Sequence, residues 1–206
     1  MLGPFYRQDS PLRELGESIA AEAGGPEICI YGRVLNSSGR GIPNASVQIW
    51  QSDDHGVYDL QKHDPSVMDM RGTFHADSQG RYHLRTVRPL GYLIPMDGPV
   101  GDMIRAQHRH GYRPAHIHFL IGAPAHRELV TALYLRNDDH IDSDTVFGVT
   151  ESLVTETRLN DPSSPLPNLP SIRFDFTLGA AAAAEASGRV GADPSQITKR
   201  PALASH

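Results

Sequence analysis

Residues 27–53 read EICIYGRVLNSSGRGIPNASVQIWQSD, two runs of strand-forming residues around a segment dense in Ser, Gly, Pro and Asn. That texture predicts strand, turn, strand. In ASVQIWQ, Val47 and Ile49 alternate with Gln48 and Trp50, so each pair shares one face of a strand. The pattern returns at GRYHLRTV (80–87), PAHIHFLIG (114–122) and LVTALYLRN (129–137). IRFDFTL (172–178) sets Phe174, Phe176 and Leu178 on one side. The 19 glycines and 16 prolines are scattered between these runs as turn markers. The chain therefore reads as all-β, an antiparallel β-sandwich with long loops.

One stretch departs from that texture. In SPLRELGESIAAEAG (10–24), Leu12, Leu15 and Ile19 fall near helical spacing and Gly24-Gly25 would end the element, so a short N-terminal helix is expected. NDPSSPLPNLPS (160–171) is a proline-rich connector into the last strand. Residues 180–206 carry no aromatic residue, and Gly188, Gly191 and Pro194 interrupt any helix, so a loosely ordered tail is expected after a single domain over 1–179.

A chain of 206 residues is long enough to bury one hydrophobic core. Its formal net charge of -5, without a basic run, argues against nucleic acid or an anionic membrane surface as partner. Cys29 is the single cysteine, so there is no internal disulfide, and its apolar neighbours suggest a buried structural thiol. MLGPFYRQDS has no basic stretch leading into an apolar one, and no apolar run is long enough to span a bilayer. A cytoplasmic protein is expected.

The chemistry concentrates in RPAHIHF, residues 113–119. Residues i and i+2 of a strand face the same way, so His116 and His118 present both imidazoles on one face while Ile117 and Phe119 enter the opposite layer. Neutral imidazole suits iron, copper, zinc or nickel. A His-x-His pair is also compatible with a half-buried polar face, and it needs further ligands. Asp53, Asp54 and Asp138 are carboxylate candidates for an Fe(II) facial triad, and the seven tyrosines are candidates for a ferric site. The residues alone leave this choice open. They assign Trp50 and Tyr82 to the core and leave Tyr112 as a pocket-lining candidate.

WQSDDHGVYD (50–59) and RPLGYLIPMDGPVGDMIRAQHRHGYRPAHIHF (88–119) resemble the intradiol ring-cleaving dioxygenases. The match runs from GPFY (3–6) to about Leu153 and is most similar to the hydroxyquinol and catechol 1,2-dioxygenases. The resemblance implies a mononuclear non-haem Fe(III) held by Tyr58, Tyr92, His116 and His118. It implies that Tyr92 also leaves the metal to act as base, and that Arg113 stabilises developing charge. It implies a pocket wall of Gly3, Pro4, Phe5, Leu93, Ile94, Pro95 and Val146. It places Ala132 where the family more often carries glutamine or histidine near the iron.

The implied reaction joins a small aromatic diol to dioxygen and gives a muconate- or maleylacetate-type diacid. No G-x-G-x-x-G or P-loop indicates a second cofactor. Members acting on catechol or hydroxyquinol usually carry a helical N-terminal region that forms their dimer contact. None precedes GPFY, so the usual dimer is in question and a different homo-oligomer stays open. Two other readings stand beside this one. GRVLNSSGRGIPNASVQIWQ also resembles a non-catalytic transthyretin-like β-sandwich, and His116 with His118 could join a carboxylate on Fe(II) or zinc.

Overall fold

Eleven β-strands and one α-helix order the described residues, 2–64 and 66–181, of the computed structural model. They are β1 (Glu27–Asn36), β2 (Ser46–Gln51), β3 (Arg71–His75), β4 (Arg81–Val87), β5 (Tyr92–Leu93), α1 (Pro99–Ala106), β6 (Tyr112–Arg113), β7 (His116–Gly122), β8 (Leu129–Leu135), β9 (Val154–Thr155), β10 (Ser171–Arg173) and β11 (Phe176–Leu178). The protein is mostly β with one α-helix among the described residues. In one sheet β1 pairs with β4, β10 and β11; the other runs β3-β2-β7-β8-β9; β5 and β6 form a separate two-stranded ladder.

The sheets are mixed, which corrects the antiparallel expectation. β10 and β11 run parallel to β1, and β9 runs parallel to β8. The connector over 160–171 returns the chain to the β1 edge in the same direction as β1. IRFDFTL does not stay one strand either. Its ladder breaks at Phe174-Asp175, where a Cβ on Gly32 would lie 1.8 Å from the Phe174 carbonyl oxygen. There the Asp175 carboxylate accepts the Arg33 N–H at 2.9 Å. The alternation still holds, since Phe176 and Leu178 are buried and Phe174 is half-buried.

The expected helix over 10–24 is absent. That segment runs extended across the edges of both sheets. Arg13 N–H donates to Thr73 O, Gly16 N–H to His83 O and Ile19 N–H to Arg85 O. Gly16 takes a left-handed φ of 87°, which interrupts any helix at the middle of the hydrophobic pattern. The unpaired edge groups of β3 and β4 offer the segment partners that a marginal helix cannot match. Only Ile19 of the three periodic residues is buried, and Leu12 is 68% exposed. The α-helix forms instead at Pro99–Ala106, with Pro99 in its first turn.

Both sheets feed one hydrophobic cluster that includes Ile30, Val34, Leu84, Ile172, Val47, Ile49, Ile117, Phe119, Ile121 and Leu133. Phe119 of β7 meets Phe176 of β11 at 4.9 Å between ring centroids, joining the layers. Fully burying each such side chain contributes about 1.5–3 kcal/mol. Cys29 is buried, as its setting suggested, and burial pushes its thiol up. Tyr82 is a core residue whose hydroxyl donates to Phe174 O at 2.7 Å. Ala180 and Ala181 pair with the backbone around Ala125 and His126; the rest of the expected tail, 182–206, lies outside the described residues. Among the described residues no helix is long and apolar enough to cross a membrane.

Candidate metal centre

β7 lies between β2 and β8, so its register sets what surrounds the two histidines. His118 pairs with Trp50 on one side and Ala132 on the other, and His116 pairs with Tyr134. Ile117 and Phe119 enter the core, which leaves both imidazoles on the other face. The Nδ1 of His116 lies 2.7 Å from the Pro114 carbonyl oxygen, so that nitrogen carries the proton and Nε2 keeps a lone pair. The Nε2 atoms of His116 and His118 are 3.1 Å apart. Burial, then the Arg113 charge, holds His116 down to about 3. Burial, then the His116 and Arg113 charges, holds His118 down to about 2. Two neutral imidazoles whose Nε2 atoms face one another are a ready pair of metal ligands.

Tyr58 enters from the turn after β2. Asp53 organises that turn by accepting the N–H groups of His55 and Val57. The next residue, Asp59, is locked to the buried Arg71 of β3, whose Nε donates to it at 2.6 Å and whose Nη2 makes a second, shorter bond. Arg71 also donates to Phe5 O at 3.1 Å, and the Phe5 ring lies flat on Tyr58, 4.1 Å away. Tyr58 is thereby fixed from both sides and fully buried. Its hydroxyl has no hydrogen-bond partner among the described residues. Burial, then the neighbouring Tyr92, pushes its phenol well above the ordinary range, with Arg113 and Arg71 pulling the other way.

Tyr92 reaches the same place from β5, where it pairs with Arg113 of β6. Its ring centroid is 5.5 Å from that of Tyr58 and 5.6 Å from that of His116. Arg113 approaches His116 Nε2 to 3.1 Å through Nη1. Burial works against its charge, but Asp144 and Tyr92 more than restore it, so the guanidinium stays protonated. An orphaned buried phenol, a second phenol and two imidazole lone pairs fit a hard trivalent cation, which favours the phenolate over the phenol. A carboxylate-based site fits less well. Asp53 and Asp138 serve as backbone caps, and no group of three or more His, Cys, Asp or Glu among the described residues is placed to hold a metal.

The structure brings Tyr58, Tyr92, Arg113, His116 and His118 together. Phe5 stacks on Tyr58, Ala132 lies opposite His118, and a Cβ on Gly3 would lie 4.0 Å from the His118 ring. No ring or hydrogen-bond contact among the described residues carries Pro4, Leu93, Ile94, Pro95 or Val146 to the imidazoles. Leu93 follows Tyr92 onto the other face of its ladder and pairs with Tyr112, which is exposed and stacks on His140 at 4.6 Å. Sequence reasoning passed over Asp59, Arg71, Tyr134 and Asp144, and read Trp50 as a core anchor only. Trp50 is buried and also stacks on His118.

This fold and site define a class, and the comparisons agree with it. The profile of the dioxygenase family matches residues 1–180, and the chain belongs to that family. It is 43% identical over 179 residues to a 6-chlorohydroxyquinol 1,2-dioxygenase of Cupriavidus pinatubonensis, covering 86% of this chain and 63% of that protein. It is 40% identical over 157 residues to a hydroxyquinol 1,2-dioxygenase of Rhizobium sp., covering 76% and 53%. The solved hydroxyquinol 1,2-dioxygenase of Pseudomonas putida DLL-E4 superposes with a TM-score of 0.81 at 37% identity, covering 88% of this chain and 65% of that one. The resemblance read from the sequence is borne out. The chain spans 53% to 65% of the length of these relatives.

Proposed function

We propose that the chain cleaves a catechol-type diol of the hydroxyquinol or catechol class between its two hydroxyl-bearing carbons, using dioxygen. The product is a diacid of the muconate or maleylacetate type, which takes up both oxygen atoms, so no outside electron donor is needed. The observation that carries this reading is the buried Tyr58 hydroxyl without a partner, beside Tyr92 and two imidazole nitrogens 3.1 Å apart. The names of the relatives support the substrate class.

Tyr58, Tyr92, His116 and His118 would hold a mononuclear non-haem Fe(III). When bound, that ion would supply Lewis acidity and accept electron density from the diol, which makes the ring reactive toward dioxygen. The two tyrosines divide the remaining work by their settings. Tyr58 is fully buried under Phe5 and keeps its place. Tyr92, half-buried in a two-residue strand, is the less enclosed of the two phenols, and it is the one that would leave the metal and accept a proton from the incoming diol. Arg113 faces the same space and stabilises negative charge that develops on the ring. Gly3, Phe5 and Ala132 lie next to the ligand set and would border the diol, and the family resemblance would put Pro4, Ile94, Pro95 and Val146 farther out, while Leu93 faces away.

Oxygen uptake by the iron-loaded protein against catechol, hydroxyquinol, protocatechuate and pyrogallol tests the reading. One dioxygen consumed per diol, by a protein made wine-red by phenolate-to-ferric charge transfer, is expected. A colourless, inactive iron-loaded protein would reject it in favour of a non-catalytic domain. Tight zinc binding with activity elsewhere would favour a different metalloenzyme.

A further inference from the structure

We propose that Asp144 is the positioning residue for Arg113, joining the guanidinium at the site to the turn over 144–148. The inference rests on the proposed reaction, in which Arg113 faces the diol.

Both oxygens of the buried Asp144 carboxylate are shared between the two structures. Oδ1 accepts the Arg113 Nε–H at 3.3 Å and the Val146 N–H at 3.3 Å. Oδ2 accepts the Gly148 N–H at 2.9 Å and an Arg113 Nη2 hydrogen at 3.5 Å. A turn-capping role alone would be met by the two backbone groups. The guanidinium adds a second function, and its edge against Asp144 is completed by Tyr134, whose hydroxyl accepts Nη2 at 3.4 Å. Only Nη1 is left facing His116.

The turn is shaped for this. A Cβ on Gly148 would lie 2.5 Å from the Tyr134 hydroxyl, 3.1 Å from Asp144 Oδ2 and 3.3 Å from Arg113 Nη2, so the backbone closes directly over the pair. It is held from outside as well. Thr145 N–H donates to Tyr112 O, Arg109 donates to Thr145 O at 2.8 Å, and the Arg109 guanidinium sits 4.1 Å above the Phe147 ring.

The electrostatic reason is direct. A free arginine beside two metal-binding imidazoles would be driven off by the cation they hold. The Asp144 charge offsets that repulsion, and its two-point grip removes the rotation that would let Arg113 swing away.

The test uses the iron-loaded full chain and its Asp144→Asn, Asp144→Glu, Arg113→Gln, Asp144→Asn/Arg113→Gln and Asp144→Glu/Arg113→Gln variants, read by kcat, KM, iron per chain and urea midpoint. Asp144→Asn is expected to keep its iron and lose about 10–100-fold in kcat, with KM changing less. Asp144→Glu, which restores the charge, should fall between it and the wild type. The double variant should be no slower than Arg113→Gln alone, because Asp144 acts through that residue. Wild-type turnover by Asp144→Asn, loss of its iron, or losses that multiply in the double variant would overturn the proposal. Should Asp144→Asn fail to fold, Asp144→Glu decides, since it must slow the wild type and leave the Arg113→Gln background unchanged. A wild type that cleaves no diol would instead sink the proposed reaction itself.

Discussion

Trp50 lies flat against His118, with ring centroids 5.0 Å apart and planes within 6° of parallel. Trp50 is the single tryptophan in the chain, so its emission reports on one place. Adding ferric ion to the metal-free protein should quench that emission with an endpoint at one ion per chain. His118→Ala should abolish the stoichiometric endpoint. A red, iron-loaded protein with undiminished emission would show that the metal sits elsewhere.

Removing the Tyr92 oxygen separates its two proposed roles from those of the histidines. Tyr92→Phe should retain iron, shift the visible charge-transfer band and slow turnover by about 100-fold or more, the scale of losing a positioned base. His118→Ala should lose iron in dialysis against a chelator. Retained iron and full turnover in both variants would reject the ligand set.

The legibility of this site in the sequence followed the range of the forces that build it. His116 and His118 were readable because strand periodicity is local, and β7 keeps it. Tyr58 and Tyr92 sit in irregular segments, so only the family motif pointed to them; their ring contact spans 34 positions. Asp144 lies 31 positions from Arg113 and carries no pattern that periodicity could reveal. A faint signal existed in the Asp of DTVFG, an acidic turn opener followed by glycine.

The fold shows the same divide. Long β-rich runs were found, while β3, five residues with a glycine inside, was missed. The false helix at 10–24 arose because spacing records hydrophobicity and says nothing of competing partners. The open edges of β3 and β4 captured that segment instead. Parallel pairing of β9, β10 and β11 depends on where long connectors land, which no local pattern encodes.

The buried pair of Arg71 and Asp59 anchors both flanks of Tyr58, so breaking it should affect stability and metal together. Arg71→Ala removes the main partner of the buried Asp59 carboxylate and leaves it only the longer Arg7 contact at 3.4 Å, so the loss should be about 3 kcal/mol. The urea midpoint measures it, and iron retention should fall in parallel as Phe5 and Tyr58 loosen. The Arg71→Met/Asp59→Leu double variant should be less destabilised than Arg71→Ala, because no fully buried carboxylate is left without its main partner. Equal losses would show that the pair contributes by packing alone.

At alkaline pH the stability should fall for a reason visible in the core. Burial, then the hydrogen bond to Asp161 at 2.7 Å, pushes the Tyr31 phenol from 10.0 up to about 12. Burial pushes Tyr82 up as well. Above pH 10 the unfolded chain releases these protons while the folded chain keeps them, so the unfolded state binds fewer protons and stability declines as pH rises toward 12. The contribution is fully present below 10. Urea midpoints across that window should drop less steeply for Tyr31→Phe than for the wild type; identical slopes would remove Tyr31 as a cause.

Ala132 pairs directly across from His118, so whatever side chain stands there lies beside that imidazole. Alanine offers no hydrogen bond, and its small volume leaves room next to the ring. A glutamine at this position would bring an amide that can donate to a substrate hydroxyl and would fill the same space. Ala132→Gln should therefore change the ratio of kcat/KM for hydroxyquinol to that for catechol by about tenfold, the scale of one hydrogen bond gained or lost at a buried site. Iron content and the charge-transfer band should stay as in the wild type, since the residue is no ligand. A ratio that does not move would place the extra ring hydroxyl away from β8 and assign substrate choice to the turn that carries Val146.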